Sequence, residues 1–194
     1  MFFRDLIVKK NVTLHVTPAE VRLPVRMGHR DAKKVFGEPL SRQMVATSLG
    51  GVTSVRAHES APGDICGVTL YLGLRDASQA GLKTVAEYLE HLHAPLGSSI
   101  RLSDGGQPMV FGATEGLELS VPTALAPDAD HRRVVASACS KAIDGVCVNR
   151  GWAQRADRTI FYFYGDSFQR MKTGLAVMLQ GDPGLSVATA RRLA

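Results

Sequence analysis

Arg155-Ala156-Asp157, then Phe161-Tyr162-Phe163-Tyr164-Gly165, then Asp166-Ser167-Phe168, reads as a turn, a strand and the start of a helix. The same layout stands earlier in the chain. Ala61-Pro62-Gly63-Asp64 turns, Val68-Thr69-Leu70-Tyr71-Leu72-Gly73 returns, and Asp76 and Ser78 stand where a helix would be capped. Strands opening at Gly51-Val52 and Gly145-Val146 lead into the two turns. The helix after the first hairpin carries Leu82, Val85, Leu89 and Leu92 on one stripe. The helix after the second carries Phe168, Met171, Leu175 and Met178 at the same spacing. A single apolar stripe marks a helix that lies on a sheet, and a two-stranded hairpin needs such a cover for one face.

Outward from this repeat, Val12, Leu14 and Val16 alternate with polar residues, as do Val21, Leu23 and Val25, with Thr17-Pro18-Ala19-Glu20 between them. Period two on both sides of turn residues predicts an N-terminal hairpin. Pro39 suits a first helical position, with Leu40, Met44 and Thr47 facing inward up to Gly50-Gly51. Residues 98–102 read as a closing strand, and Ser103-Asp104-Gly105-Gly106-Gln107-Pro108 as a linker. Beyond it Leu117, Leu119 and Val121 alternate up to Pro122. Asp128 and Asp130 then cap a helix containing Val134, Val135, Ala138 and Ala142, and residues 186–190 could close the second unit. The predicted fold is α+β: two tandem ferredoxin-like (βαββαβ) units, each an antiparallel sheet with its helices on one face. Residues 1–104 form the first unit with an extra N-terminal hairpin strand, and residues 105–194 the second.

The 194 residues are 45% apolar and 21% charged, a globular composition. No apolar run approaches the roughly 18 residues that span a bilayer, and the first ten residues carry charges inside their apolar part, unlike a signal peptide. Cys66, Cys139 and Cys147 form no CxxC pair and sit among apolar residues, which predicts reduced thiols and a cytoplasmic protein. The net charge of +5 is carried by residues 1–34, including Arg22, Arg26, Arg30, Lys33 and Lys34; the rest balances to zero. A localised basic segment suits an acidic partner such as nucleic acid, and equally suits the blunting of exposed sheet edges.

No catalytic constellation emerges. Gly165-Asp166-Ser167-Phe168 resembles the start of the GDSL-type esterase motif, but no histidine follows His131 to serve as base, and Asp166 and Ser167 also read as helix caps. His91 and His93 lie two apart at a helix end, where side chains diverge, so no metal site is expected. The glycine-rich strings 48–51 and 63–67 lack phosphate-loop spacing, so no cofactor is implied.

Trp152, the sole tryptophan, is flanked by Arg150, Gln154, Arg155 and Arg158, and aromatic and Arg residues together are what protein interfaces use. Strand parity leaves its direction open, because a bulge near Gly151 would reverse it. Phe161 and Phe163 share one strand face and Tyr162 and Tyr164 the other; burial of both faces is the economical account.

Glu115-Gly116-Leu117-Glu118-Leu119 and Phe161-Tyr162-Phe163-Tyr164-Gly165-Asp166-Ser167-Phe168-Gln169-Arg170-Met171 resemble small bacterial toxin-immunity-type proteins. The resemblance implies a non-enzymatic cytoplasmic module that binds a toxin or effector protein and covers its active site, with no residue role carried over. The residues themselves place protein binding at Trp152, Arg150, Arg155 and Arg158. The alternative is a small-molecule-binding regulator with its cleft between the units and Tyr162, Tyr164 and Glu118 as contacts. Nucleic-acid binding through the basic segment is the third reading, and no membrane partner is expected.

Overall fold

The computed structural model describes residues 16–143, 147–181 and 187–193. The first sheet contains β1 (Thr17–Leu23), β2 (Gly50–Ala61), β3 (Asp64–Leu74), β4 (Ser98–Leu102) and β5 (Met109–Phe111), in the spatial order β2-β3-β1-β4-β5. Its crossovers are a helical run of α1 (His29–Ala32), one π-helical turn and α2 (Glu38–Ala46), then α3 (Gln79–His91). The second sheet contains β6 (Glu115–Pro122), β7 (Cys147–Gln154), β8 (Arg158–Gly165) and β9 (Thr189–Arg192), in the order β7-β8-β6-β9, with α4 (Ala129–Ala142) and α5 (Phe168–Gly181) as crossovers. All pairings between these strands are antiparallel. Each unit is therefore ferredoxin-like, and the first carries β5 as an added edge.

Alternation decides which face each strand buries. Val21, Leu23, Leu70, Leu72 and Ile100 of the first sheet pack with Phe36, Leu40, Met44, Val85 and Leu89 of its helices. Leu117, Leu119, Phe161 and Phe163 of the second pack with Cys139, Met171 and Leu175. The two stripes predicted for α3 and α5 are buried alike. Val85, Leu89, Met171 and Leu175 are fully buried, with Leu82, Leu92, Phe168 and Met178 partly buried at their ends. Ser78 caps α3 by accepting from the Gly81 N–H, and Asp128 caps α4 by accepting from Asp130 and His131.

The predicted order holds, and several details differ. Thr17-Pro18-Ala19-Glu20 is not a turn; it is the first half of β1, which lies between β3 and β4 and is hydrogen-bonded on both sides. The basic Arg22 therefore sits on a central strand, not on an edge. Val16 is exposed, while Val12 and Leu14 lie outside the described residues. The helical run before β2 begins at His29, ten residues ahead of Pro39, with Leu40 and Met44 buried as expected and Thr47 exposed at its end. Residues 103–108 do not link the units. They turn β4 into β5, whose Met109 and Phe111 pack on the first core, so the chain passes to the second sheet at residues 112–114 rather than at Asp104. In α4 the buried stripe is Ala136 and Cys139, followed by Ile143 just past its end, and Val134 and Ala138 face solvent. The closing strand is Thr189–Arg192, a few residues later than predicted, and Gly145-Val146 lies outside the described residues. Cys66 is exposed; Cys139 and Cys147 are partly or fully buried and all three are free. No helix among the described residues is long and apolar enough to cross a membrane.

Leu89 and Leu175 are the central residues of the two stripes and neither is exposed at all. Truncating either to Ala removes packed methyl groups from a close-packed interior, so Leu89→Ala and Leu175→Ala are each expected to cost about 2–5 kcal/mol in urea denaturation. A loss under about 0.5 kcal/mol, the range of surface substitutions, would show that the stripe does not carry the packing.

Candidate functional site

The site begins with a β-bulge. Asn149 pairs with Phe163 and Gly151 with Tyr162, leaving Arg150 as the extra residue on β7. Gly151 adopts φ +123, a conformation open to glycine and strained for other residues. The Asn149 side chain stitches the bulge: its amide nitrogen donates to the Gly151 and Tyr162 carbonyls, and its oxygen accepts from the Gly151 N–H at 3.2 Å. Had Arg150 paired in an unbulged register, Trp152 would stand opposite Ile160 and share the face of Tyr162. With the bulge, Trp152 pairs with Phe161, packs on the helix-side core and lies 6.4 Å from the Phe161 ring, centroid to centroid.

The opposite face of β8 docks onto the first unit. Ile160, Tyr162 and Tyr164 join the core of the first sheet, together with Val148 and Ala153. The Tyr164 hydroxyl accepts from the Arg26 backbone N–H at 2.9 Å, and burial holds the phenol well above its ordinary pKa. Arg150 crosses the same junction. Its Nη2 donates to the Leu92 carbonyl at 2.7 Å and its guanidinium lies 5.2 Å from the centre of the Phe36 ring. At the rim, Asp64 accepts Arg155 at 2.6 Å and Arg26 at 3.4 Å, an ion pair joining β3 to the turn after β7. The Ser60 hydroxyl, then Arg155 and Arg26, hold the Asp64 carboxyl below its ordinary range despite partial burial.

Between these contacts lies a cavity of about 490 Å³. Arg26, Met27, Gly28, Asp31, Gly63 and Ile65 line it from the first unit, and Arg150, Gly151, Trp152, Ala153, Gln154 and Tyr162 from the second. Arginine, glutamine and tyrosine thus line the same space as apolar residues, the mixed composition of a small-molecule pocket.

The residues expected to bind a partner are not one exposed patch. Arg150 and Arg155 are committed to the junction, Trp152 to the helix-side core, and Arg158 donates to the Ser120 hydroxyl and carbonyl. Of the expected ligand contacts, Tyr162 lines the cavity, whereas Tyr164 is consumed by Arg26. Glu118 is buried in a two-point ion pair with Arg191, at 2.9 and 3.0 Å. The basic residues also separate: Arg22 is exposed on the open face of the first sheet, Arg26 is in the cleft, and Arg30, Lys33 and Lys34 are exposed on the helical run. Arg4, Lys9 and Lys10 lie outside the described residues.

Ser167 accepts from the Arg170 N–H, and the Phe168 N–H donates to Glu115 at 2.5 Å, so the Gly165-Asp166-Ser167 string serves the start of α5. The His91 ring bonds the Glu87 carbonyl, and among the described residues no cluster of three metal-ligating side chains occurs. Sequence reading gave no role to Met27, Gly28 and Ile65, and placed Gln154 only beside Trp152. They carry no shared period, because they meet only where two separately folded sheets dock.

No protein-family model matches the chain, and no curated protein matches it. Among solved structures it is similar to the regulatory subunit of aspartate kinase from Thermus thermophilus, with 15% identity, 86% of this chain and 93% of that one covered, and a TM-score of 0.26. It is also similar to the paired RNA recognition domains of Drosophila melanogaster Sex-lethal, at 10% identity, 92% and 99% coverage and a TM-score of 0.28. The first two such domains of yeast poly(U)-binding protein match at 9% identity, 91% and 99% coverage and 0.26. At these scores the similarities carry no argument about function.

Two outcomes test this geometry. Gly151→Val forces a branched side chain into φ +123 and is expected to cost about 1–3 kcal/mol, read by denaturation, with a shift in Trp152 emission as the bulge rearranges. Unchanged stability and emission would show that the bulge is not under this constraint. Asp64 has a depressed folded pKa, so its contribution is present above the unfolded value near 3.8 and lost as pH falls through the lower folded value. The denaturant midpoint of Asp64→Asn should therefore trail wild type at pH 7 and converge with it below about pH 4; a constant gap would remove the ion pair from the account.

Proposed function

We propose that this chain is a small-molecule-binding regulatory module whose ligand occupies the cleft between its two ferredoxin-like units. The observation that carries this reading is the cavity of about 490 Å³ lined from both units, a volume in the range of small-molecule sites. A ligand there touches the segment after β1 and the bulged strand β7 together, so its binding energy acts on the relative placement of the units, the physical requirement for regulation. The protein-binding reading drew on Trp152 and its arginines, and their engagement inside the molecule favours the cleft instead. A toxin or effector partner remains a separate proposal that would need another surface.

Gly28 offers a direct test. A Cβ built there meets only the Ile65 Cδ1 at 4.0 Å, and its backbone is extended, so a large side chain can enter the cavity without displacing the chain. A metabolite library screened by thermal shift should contain compounds that raise the melting temperature of wild type and leave that of Gly28→Trp unchanged. Compounds that stabilise both proteins equally would place binding elsewhere. A library without any stabilising compound would count against the cleft as a ligand site.

A further inference from the structure

Resting on the ligand-cleft reading, we infer that the cleft takes a small molecule bearing a carboxylate or phosphate group, and that the Arg150 guanidinium holds this anion. Three arginines meet at the junction, and two share Asp64 as counter-ion. Arg150 has no acidic partner among the described residues. It has a carbonyl oxygen and an aromatic face, and its Nε is buried without a hydrogen-bond acceptor. Burial lowers its pKa below the ordinary value for a guanidinium, the signature of a cation removed from water.

A desolvated charge is normally compensated by an opposite charge, because neutral dipoles recover only part of the lost hydration. Here the residue that carries this charge is among those that line the cavity. Its position is also held in advance. The Asn149 stitch and the Gly151 conformation keep Arg150 on the junction side, and Phe36 and Leu92 orient its plane. A cation fixed before the ligand arrives spares the ordering cost of binding, and a guanidinium matches two anionic oxygens at once. The charged groups facing the same space are Arg26, already paired with Asp64, and Asp31, which is exposed and therefore screened by water.

The sole tryptophan, Trp152, borders the cavity and reports occupancy by its fluorescence. The titration compares charge-matched pairs on the wild-type protein: succinate with succinamide, glucose 6-phosphate with glucose, and AMP with adenosine. At least one anion should bind about tenfold or more tighter than its neutral partner, the gain expected of a charge-assisted bond, and should weaken as salt rises. Arg150→Met should abolish the preference and Arg150→Lys retain part of it, since the charge stays and the planar fork is lost. Equal affinity within every pair, or a preference intact in a folded Arg150→Met protein, would overturn the anion site while leaving the cleft as a ligand site. If no anion in the set changes the emission while the library screen does find Gly28-sensitive neutral compounds, the anion inference falls and the cleft reading stands. If neither the set nor the library binds, both fall.

Discussion

β8 is buried on both faces, and the arrangement of the molecule depends on that. Phe161 and Phe163 are the sheet-side wall of the second unit's own core, against α4 and α5. Ile160, Tyr162 and Tyr164 enter the core of the first unit. A strand that is apolar or aromatic on successive residues has no face to give to water. The second sheet must therefore find a cover for the side its helices do not reach, and the nearest apolar surface is the segment that follows β1. Docking of the two units is a consequence of solvation, with the Tyr164–Arg26 hydrogen bond and the Asp64 ion pairs fixing how they meet.

The docking is incomplete by geometry. The open face of the second sheet meets the helical run, the end of α3 and the segment after β1 of the first unit, and the contact leaves a cavity beside β7. The β-bulge shapes that cavity. By inserting one residue it moves the bulky Trp152 ring to the helix-side core and leaves Arg150 and Gly151 at the junction. One extra backbone residue thereby turns a large hydrophobe away from the junction face and leaves an open glycine there beside Arg150. The strain of φ +123 falls on the one residue type that tolerates it.

The helix ends show how economically polar groups are used around this frame. Glu115, at the start of β6, accepts from the first amide of α5 and pairs with Arg192, whose guanidinium also lies over Phe168. This ties the first and last strands of the second sheet to the helix between them. The amide and the guanidinium lower the Glu115 pKa below its ordinary value. The serine beside it, which by sequence resembles an esterase nucleophile, accepts a bond from the same helical turn.

The sequence by itself determined the periodic parts of this protein. The stripes of α3 and α5, the alternation of β3, β6 and β8, the two hairpin turns and the Ser78 and Asp128 caps are local signals, set by backbone geometries of 3.6 and 2 residues per repeat. They were enough for two ferredoxin-like units. They misjudged residues 17–20, because turn-forming residues say nothing about whether a strand has partners on both sides. They did not say which face of α4 is buried, because its residues are weakly apolar and form no clear stripe. The expected ligand contacts were legible only at Tyr162, since Tyr164 and Glu118 found partners from distant segments. Which way Trp152 faces, what Arg150 touches, and that a cavity opens between Arg26 and Gln154 were decided by tertiary structure alone. A bulge changes side-chain parity without a periodic trace, and a cleft exists only once two cores, each specified by its own pattern, press their remaining apolar surfaces together.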